Sequence, residues 1–402
     1  MKTQKYNELL ISSILLSSLL IASFPSLGAT DILELSSATN YGKGLRLIAK
    51  QLKLSKNSML ADSSKVQFPE KKWRRKIPGS LGLKKKELDR LARTIGGAGV
   101  VIKDGYIVKT WGSQTTKYLW DSASKPIFST LLFFAINEGR VASVDEKIKK
   151  WGWKLKGKDR QISFRNLANM TSGYTRIEAS GQRWSYNDFG FGLYAKTILG
   201  KVYKTRNTKN AGIRVALHKR RLGKLQFENR QIFAKKKGHL RAYLTVQDFA
   251  RIGWFWLNKG NWKGEQLLPS WFFSNYMRRG VSSSLKQSEG GKYGAGDYLG
   301  VGTYGGKGSQ TPLGPGVYGF NWWTNERRRM WPNAPSDAVQ ANGHWNKQAV
   351  TVIPSLGIVA VWYRNHGGDD PRTFKKPMNG YLKILVGSVI ALKNSNHTIL
   401  DG

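Results

Sequence analysis

The sequence predicts an α+β fold, in which an antiparallel sheet flanked by helices is interrupted by a mainly helical, loop-rich insertion. Strand-like runs lie near both ends of the chain, in "VVIKDGYIVKTWG" (100–112) and in "KQAVTVIP" and "GIVAVWYR" (347–364). The region between them, 151–335, mixes helical stretches with glycine-rich loops. Strands at both ends of a chain with a helical middle are typical of a sheet domain that is interrupted by a helical one.

The first half of this fold can be assigned from its residue patterns. "LKKKELDRLARTI" (83–95) has apolar residues at helical spacing. The two β-rich runs that follow meet at Asp104-Gly105, a pair of residues typical of a hairpin turn. The segment after Lys125 is apolar on most of its circumference, which predicts a buried helix that ends near Gly139.

The second half contains a helix, two strands and a closing helix. "VQDFARIGWFWLNKG" (246–260) has a helical pattern, and the two strands at 347–364 are separated by a Pro-Ser-Leu-Gly turn. "FKKPMNGYLKILVGSVIALK" (374–393) predicts the closing helix. We therefore assign 81–395 to one domain, made of a sheet subdomain at about 81–150 and 336–395 and a helical, loop-rich subdomain at about 151–335.

The beginning of the chain resembles a secretory signal over residues 1–29. Lysines in "MKTQKYNE" precede the apolar, serine-rich run "LLISSILLSSLLIASF", and "SLGA" supplies small residues for cleavage. A retained membrane anchor is the weaker alternative, because this run is short for a span of about 20 apolar residues. We expect a secreted or periplasmic protein whose mature chain has no stable transmembrane segment.

The composition favours a globular protein with anionic partners. Of 402 residues, 66 are Lys or Arg and 25 are Asp or Glu, which leaves a formal charge of +41. Such a charge attracts polyanions, so an anionic cell-envelope polymer is a candidate partner. No specific nucleic acid is predicted. The absence of cysteine excludes disulfides, a thiolate nucleophile and cysteine-ligated zinc.

Residues 30–80 form a basic arm that we expect to be irregular. Its densest charge cluster is "KKWRRK" (71–76). Charge runs of this kind are usually solvated linkers, and binding of an anion is the second interpretation. A short tail, 396–402, follows the domain.

Ser122 and Lys125 are the first candidate catalytic pair. At positions i and i+3 near the start of a helix, their side chains lie on one face within a few ångströms of each other. A serine becomes a nucleophile when a neighbouring base takes its proton, and a lysine of lowered pKa can be that base. The alternative is structural, with Ser122 capping the helix and Lys125 extending into solvent.

Tyr186 and His344 could complete such a site. A phenol near the lysine could move the proton from the serine to the leaving group, and an imidazole beside a strand could orient the substrate. Taken alone, Tyr186 is better explained as a core or interface aromatic, and His344 by a structural role. Other hydrolase classes lack their motifs, since neither Gly-x-Ser-x-Gly nor His-Glu-x-x-His occurs. No metal site and no cofactor are predicted.

Several motifs in this order resemble the serine β-lactamase and penicillin-binding-protein superfamily, near class C β-lactamases, D-aminopeptidases and carboxylesterases. The resemblance extends from Leu83 to Leu392, and the segments that carry it are "WDSASKPIFSTLLFF", "ISFRNLANMTSGY", "YND", "LTVQDFARIGWFWLNKG" and "GHWNKQAVTVIPSLGIVAVW". It implies a β-lactamase/transpeptidase-like fold. It also implies Ser122 as acyl-accepting nucleophile, Lys125 as its base and Tyr186 as proton shuttle.

The same resemblance implies how the rest of the site is built. His344 would take the place of the family's strand Lys or His, and the backbone amides of Ser122 and Lys347 would form the oxyanion hole. Asp188 stands where the family has Asn, and Asn346 stands where many members have Gly. We expect both side chains to line the substrate groove, where Asn346 would narrow the space for a β-lactam.

The function predicted from the sequence is that of a secreted serine hydrolase that cleaves an ester or amide through an acyl-enzyme. A true β-lactamase or D-alanyl carboxypeptidase is an alternative within this class. A noncatalytic protein that binds the envelope or another polyanion on the same fold is the alternative from a different class.

Overall fold

The computed structural model describes residues 66–206, 208–289, 296–306, 308 and 310–390. The predicted signal segment, most of the basic arm and the tail 396–402 lie outside the described residues.

The described residues form helices and short strands in an α+β arrangement, as predicted. None of the described helices is long and apolar enough to cross a bilayer. The α-helices are α1 (Lys85–Ile95), α2 (Lys125–Asn137), α3 (Phe164–Ala168), α4 (Asp188–Lys196), α5 (Lys209–Ala216), α6 (Val246–Leu257), α7 (Ser270–Phe272) and α8 (Lys375–Gly387). The strands are β1 (Ala98–Lys103), β2 (Tyr106–Trp111), β3 (Tyr118–Leu119), β4 (Phe233–Lys236), β5 (His239–Leu244), β6 (Asn261–Trp262), β7 (Glu265–Gln266), β8 (Tyr318–Gly319), β9 (Trp322–Thr324), β10 (Val339–Gly343), β11 (Gln348–Ile353) and β12 (Ile358–Tyr363).

The main sheet joins the two ends of the domain. Its strand order is β2-β1-β12-β11-β10-β9-β8, and all neighbouring strands are antiparallel. Val361 of β12 lies opposite Val100 of β1 on one side and opposite Val350 of β11 on the other. The predicted hairpin between β1 and β2 turns at Asp104 and Gly105, where φ is 49° and 82°. The predicted antiparallel sheet between helices is thereby confirmed.

Helices cover the central strands, whose side chains are buried on both faces. Helix α6 packs on β1, β11 and β12, while α1 and α8 pack on each other. Gly253 is the point of closest approach, because a Cβ there would lie 2.7 Å from a methyl carbon of Val359 and 3.0 Å from one of Val350. Any larger residue would push α6 away from the sheet.

Helix α2 is buried as its sequence predicts. Every residue from Lys125 to Ala135 is buried, which includes Lys125, the one charged residue at its start. The regular helix begins at Lys125, with Pro126 in the first turn, where its missing amide hydrogen costs no helical hydrogen bond. This helix therefore carries a cation directly into the protein interior.

The region 151–335 is less separate from the sheet than predicted. It contains α3 to α5, but it also contributes β8 and β9, which extend the sheet beyond β10 through the pairing of Trp323 with Gln340. It also contains the β4–β5 hairpin, and α6 packs on the sheet itself. The predicted subdomain boundary near residue 336 therefore divides the sequence, but the main sheet contains strands from both sides of it.

The last part of the predicted basic arm is folded onto the domain, which corrects the predicted boundary at 81. Arg74 and Lys76 form backbone hydrogen bonds with Ile107, so this segment covers the free edge of β2. Trp73 is buried and its indole donates to the Gln247 carbonyl oxygen (3.2 Å). The cluster "KKWRRK" is thus not a solvated linker, although its five cations around Trp73 are exposed.

Candidate active site

Ser122 lies in the 3₁₀ turn that leads into α2. It follows buried Trp120, whose indole donates a hydrogen bond to the Leu244 carbonyl oxygen (2.9 Å). Ser124 ties the same turn to β5, because its hydroxyl oxygen accepts a hydrogen bond from the Ala242 amide (2.8 Å). Amides in the first turn of a helix have no acceptor within that helix. The Ser122 amide thus stays the predicted oxyanion donor.

The Lys125 side chain connects the three other polar groups of the site. Its Nζ donates hydrogen bonds to Ser122 Oγ (2.6 Å) and to Tyr186 OH (3.1 Å). Its third contact is an ion pair with Asp188, whose Oδ1 lies 2.7 Å from Nζ but off the ideal hydrogen-bond direction. The structure therefore brings together the serine, lysine and tyrosine that the sequence singled out, and adds a carboxylate to them.

Burial and the neighbouring carboxylate shift the pKa of Lys125 in opposite directions. Burial lowers the pKa of the ammonium, whereas Asp188, with smaller contributions from Tyr186 and Tyr304, favours the charged form. The attraction outweighs burial, so the pKa of Lys125 is raised above its ordinary value. Aromatic rings favour the cation too, with ring centroids 4.6 Å (Tyr304), 4.8 Å (Tyr186) and 5.1 Å (Phe191) from Nζ. Lys125 is thus a cation in the resting site, and it must lose a proton before it can act as a base.

Tyr186 reaches the lysine from the segment directly before α4. Asn187 caps this helix by accepting hydrogen bonds from two amides of the first turn (3.0 and 3.2 Å), which holds the backbone next to Tyr186. The Tyr186 ring stacks on Trp323, with 6.1 Å between centroids, and contacts Trp345 at 5.5 Å. Burial raises the pKa of the Tyr186 phenol, which keeps it protonated near neutral pH.

Asp188 is the ion-pair partner of Lys125 and not a substrate-binding residue, which corrects the prediction from the sequence. Its second oxygen, Oδ2, accepts hydrogen bonds from the Gly306 amide (2.9 Å) and from the Gln310 side chain (2.6 Å). The side chain is 2% exposed. As the first residue of α4, Asp188 points at the buried lysine, and both of its oxygens are occupied by groups of the protein.

The segment "HWNK" is a turn between β10 and β11, not a strand. Residues 344–346 have left-handed backbone conformations, with φ of 47°, 50° and 69°. The Lys347 amide donates a hydrogen bond to the His344 carbonyl oxygen (3.2 Å). Because this amide closes the turn, the prediction that Lys347 completes the oxyanion hole is wrong.

The side chains of this turn point in different directions. Asn346 is buried, and its amide group donates to Asp369 Oδ2 (2.7 Å) and to the Phe374 carbonyl oxygen (2.6 Å). It therefore does not narrow the substrate groove, and the prediction that it binds substrate is wrong. His344 is exposed and lies at the cavity that contains Ser122. Its substrate-binding role stays a prediction.

The end of β10 lies against the turn that carries Ser122. A Cβ at Gly343 would lie 2.8 Å from the Ala123 amide nitrogen, so the close approach requires glycine. Asn342 and Trp345, on either side of Gly343 and His344, line the same cavity. Neither Asn342 nor Trp345 is predicted from the sequence as a site residue. A glycine followed by a short polar stretch between two strand-like runs is the signal that could have placed a turn here.

The candidate site is a cavity of about 290 Å³ that contains Ser122, Tyr186 and Asp188. The β4–β5 hairpin, the glycine-rich segment after Tyr304 and the end of β10 form its walls. A larger surface cavity, of about 690 Å³, lies beside Glu138 and Arg221. It contains no serine beside a base, so chemistry and not size identifies the smaller cavity as the candidate active site.

A match to a known protein family covers the central residues of the candidate site. Residues 83–216 match the family described as Beta-lactamase, and this range contains Ser122, Lys125, Tyr186 and Asp188. The search of curated proteins gave no match. The resemblance seen in the sequence is thus supported by an independent family match over a third of the chain.

Solved structures share the fold at low sequence identity. A proposed 6-aminohexanoate-dimer hydrolase from Bacillus anthracis has 14% identity and a TM-score of 0.54, with 80% of this chain and 87% of that chain covered. A proposed beta-lactamase from Bacteroides dorei has 14% identity and a TM-score of 0.53, with 76% and 99% covered. A penicillin-binding-protein homologue from Caulobacter crescentus has 12% identity and a TM-score of 0.52, with 76% and 99% covered. The predicted β-lactamase/transpeptidase-like fold is confirmed, and the family match together with this fold supports the β-lactamase-related serine hydrolase superfamily.

Proposed function

We propose that this protein is a secreted or periplasmic hydrolase that forms an acyl-enzyme on Ser122. The proposal starts from the match of residues 83–216 to the Beta-lactamase family and from the fold, which is that of β-lactamase-related serine hydrolases. Its substrate is an ester or an amide. The observation that carries the proposal is the contact of Lys125 Nζ with Ser122 Oγ (2.6 Å) and with Tyr186 OH (3.1 Å). A hydroxyl, an amine and a phenol in contact can together activate the nucleophile and protonate the leaving group.

Acylation begins from the fraction of molecules in which Lys125 is neutral. Lys125 accepts the Ser122 proton as Oγ attacks the carbonyl carbon, and the Ser122 amide stabilises the oxyanion, a donor worth about 3 kcal/mol. Tyr186 then gives its proton to the leaving oxygen or nitrogen and regains one from the Lys125 ammonium. The carbon–leaving-group bond breaks and the acyl-enzyme remains. Water attacks next, with its proton taken through Tyr186 and Lys125, and Ser122 regains a proton as the acid leaves.

Asp188 places a negative charge beside Lys125, which the family's usual asparagine would not do. Its carboxylate stabilises the Lys125 ammonium that forms during acylation, which strengthens the base. The same carboxylate reduces the fraction of Lys125 that is neutral near pH 7. We therefore infer that the hydrolase works best at alkaline pH.

Replacement of Asp188 by asparagine tests this inference through the pH profile. Without the carboxylate the pKa of Lys125 falls, so its neutral form is present at lower pH. The acidic limb of kcat/KM should move to lower pH and the ratio of the rate at about pH 6 to that at about pH 9 should rise, while the plateau falls several-fold. The asparagine side-chain oxygen can take the place of Oδ2 and accept from the Gly306 amide and the Gln310 side chain. As a control, Asp145→Asn alters an exposed carboxylate outside the cavity and should leave the pH profile of kcat/KM unchanged. If the acidic limb of D188N stays at the pH of the parent protein, Lys125 does not determine that limb.

The names of the structural neighbours are consistent with the proposed substrate class. Their names describe a 6-aminohexanoate-dimer hydrolase, a β-lactamase and a penicillin-binding-protein homologue. All three names are compatible with acyl transfer to a serine. We propose an ester or amide hydrolase, and retain a true β-lactamase or D-alanyl carboxypeptidase as narrower alternatives.

Intact-protein mass spectrometry distinguishes these alternatives. The protein is incubated separately with a fluorophosphonate, a penicillin and activated esters, and the mass of each adduct is measured. A fluorophosphonate adduct with ester turnover supports the general hydrolase, and a long-lived or hydrolysed penicillin adduct supports the narrower class. No adduct with any of the three would support a noncatalytic binding protein.

The surplus of positive charge is proposed to hold the protein on anionic envelope polymers. The five exposed cations around Trp73 are part of this surface. Because the Debye length shortens to about 3 Å at 1 M salt, adhesion should be lost there while turnover of a neutral ester changes little. A pull-down on purified envelope and an ester assay over the same salt series measure both.

Two double variants separate a local contact from a diffuse charge effect. Lys71→Gln with Lys72→Gln removes two exposed charges beside Trp73, and Lys84→Gln with Lys86→Gln removes two elsewhere. The first pair should weaken adhesion more than the second. Adhesion that survives 1 M salt would contradict an electrostatic mechanism.

A further inference from the structure

The β4–β5 hairpin lines the candidate active site with cationic side chains. Lys236, Lys237 and Arg241 all contribute to the cavity wall. The hairpin turns through Lys237 and Gly238, with φ of 48° and 76°, a pair of left-handed residues that is typical of a two-residue turn. Lys237 at this tip is exposed, and the described part of the chain offers it no ion pair.

The carboxylates of the cavity do not balance these cations. Asp188 is paired with Lys125, which leaves Asp121 as the carboxylate that faces the hairpin. Asp121 Oδ1 lies 3.0 Å from Lys236 Nζ and 3.3 Å from Arg241 Nε. Lys236 and Arg241 therefore share one carboxylate, and Lys237 adds a third cation to the cavity wall.

Arg241 is the most informative of these cations because it is buried. Its side chain is 3% exposed, and its guanidinium lies 3.9 Å from the centroid of the Tyr304 ring. Nη1 donates to the Lys236 carbonyl oxygen (2.8 Å), whereas Nε lies 3.3 Å from Asp121 Oδ1 without hydrogen-bond alignment among the described residues. A buried cation is costly unless it is fully paired. Its carboxylate partner, Asp121, is shared with Lys236, so an anion that enters the cavity would supply a second counter-charge.

We propose that the substrate carries an anionic group, a carboxylate or a phosphate, on its acyl part, and that Lys236, Lys237 and Arg241 bind this group. The acyl side follows from Tyr186, which contacts Trp345 at the β10–β11 turn and protonates the leaving group. The leaving group therefore lies toward that turn, and the acyl part faces the hairpin. This inference rests on the proposed function and names its substrate class.

A matched ester series measures the preference. The 4-nitrophenyl esters of glutarate and of 4-phosphonobutyrate carry a terminal anion, and the ester of monomethyl glutarate has nearly the same shape without the charge. At low salt, kcat/KM should be about 10-fold or more higher for the anionic esters, mainly through KM, and high salt should remove the difference. The ratio between the glutarate and phosphonate esters tells whether a carboxylate or a phosphate is preferred.

Two variants of the hairpin locate the effect. Lys237→Asn removes the charge with a residue that tolerates the left-handed turn, and it should lower the anionic-over-neutral ratio about 5-fold. Lys235→Gln removes an exposed charge of the same hairpin that does not line the cavity, and it should leave this ratio as in the parent protein. A parental ratio near one, or a ratio unmoved in K237N, would overturn the inference.

A binding measurement keeps this inference separate from the proposed function. In Ser122→Ala, isothermal titration calorimetry with the same esters should give tighter binding of the anionic ones, whether or not the parent protein turns esters over. Absence of turnover and of fluorophosphonate labelling in the parent protein would refute the hydrolase alone. Equal binding of charged and neutral esters would refute the anionic subsite alone.

Discussion

Replacement of Ser122 by alanine is expected to lower ester or amide turnover by about 10⁴-fold or more and to abolish labelling by a fluorophosphonate. The reason is that Oγ forms the acyl bond, and the other serine of this turn is held away from the reaction by its own hydrogen bonds. Ser124, in the same turn, is buried, and its hydroxyl donates to the Trp120 carbonyl oxygen (3.1 Å) while accepting from the Ala242 amide (2.8 Å). Labelling followed by peptide mapping and the turnover rate are the two measurements.

Ser124→Ala is the matched control for this prediction. It removes a hydroxyl from the same turn without touching the candidate nucleophile, so labelling on the Ser122 peptide should persist. Thermal unfolding of both variants establishes that the fold is intact. A fluorophosphonate adduct that forms on S122A would contradict the assignment of the nucleophile.

Lys125 and Tyr186 are expected to act as one proton-transfer unit, which is the second large effect. Tyr186→Phe and Lys125→Met should each lower kcat by about 10²-fold or more, because each removes a group from the same path between Ser122 Oγ and the leaving group. The double variant should lose far less than the product of the two single losses. The measurement is a double-mutant cycle on kcat with an activated ester.

The cycle needs a second background, because Lys125→Met leaves Asp188 as a buried carboxylate without its counter-charge. Such an uncompensated charge is strongly destabilising. Repeating the cycle in Asp188→Asn removes it, and the unfolding temperature reports whether stability is restored. Strict additivity of the two losses in both backgrounds would mean that lysine and tyrosine have independent structural roles.

Predictions from the sequence were most accurate where the governing contacts are local. The Asp104-Gly105 turn depends on the backbone preferences of two residues, and the buried helix α2 depends on an apolar run. The Ser122–Lys125 contact depends on three-residue spacing in one turn, and the two atoms lie 2.6 Å apart. None of these features needs information from a distant part of the chain.

The predictions failed where a neighbour from another element decides. The pattern of "GHWNK" does not contain the information that Asn346 binds Asp369 and Phe374, or that the Lys347 amide closes a turn. The five cations around Trp73 indicated an exposed segment, so the burial of Trp73 against the domain was not predicted. Signal segment, localisation and the binding role of His344 stay predictions.

The sequence by itself determined the α+β fold class, the strands at both ends of the domain and the pairing of Ser122 with Lys125, because each follows from periodicity or from spacing within one element. Only the tertiary structure decided that Tyr186, which is 61 positions from Lys125, reaches the same amine, and that Asp188 holds this amine as a cation. It alone placed the cationic β4–β5 hairpin at the mouth of the cavity. The physical reason is that protonation and electrostatic complementarity depend on which charges burial brings within a few ångströms, and those charges come from elements far apart in the chain.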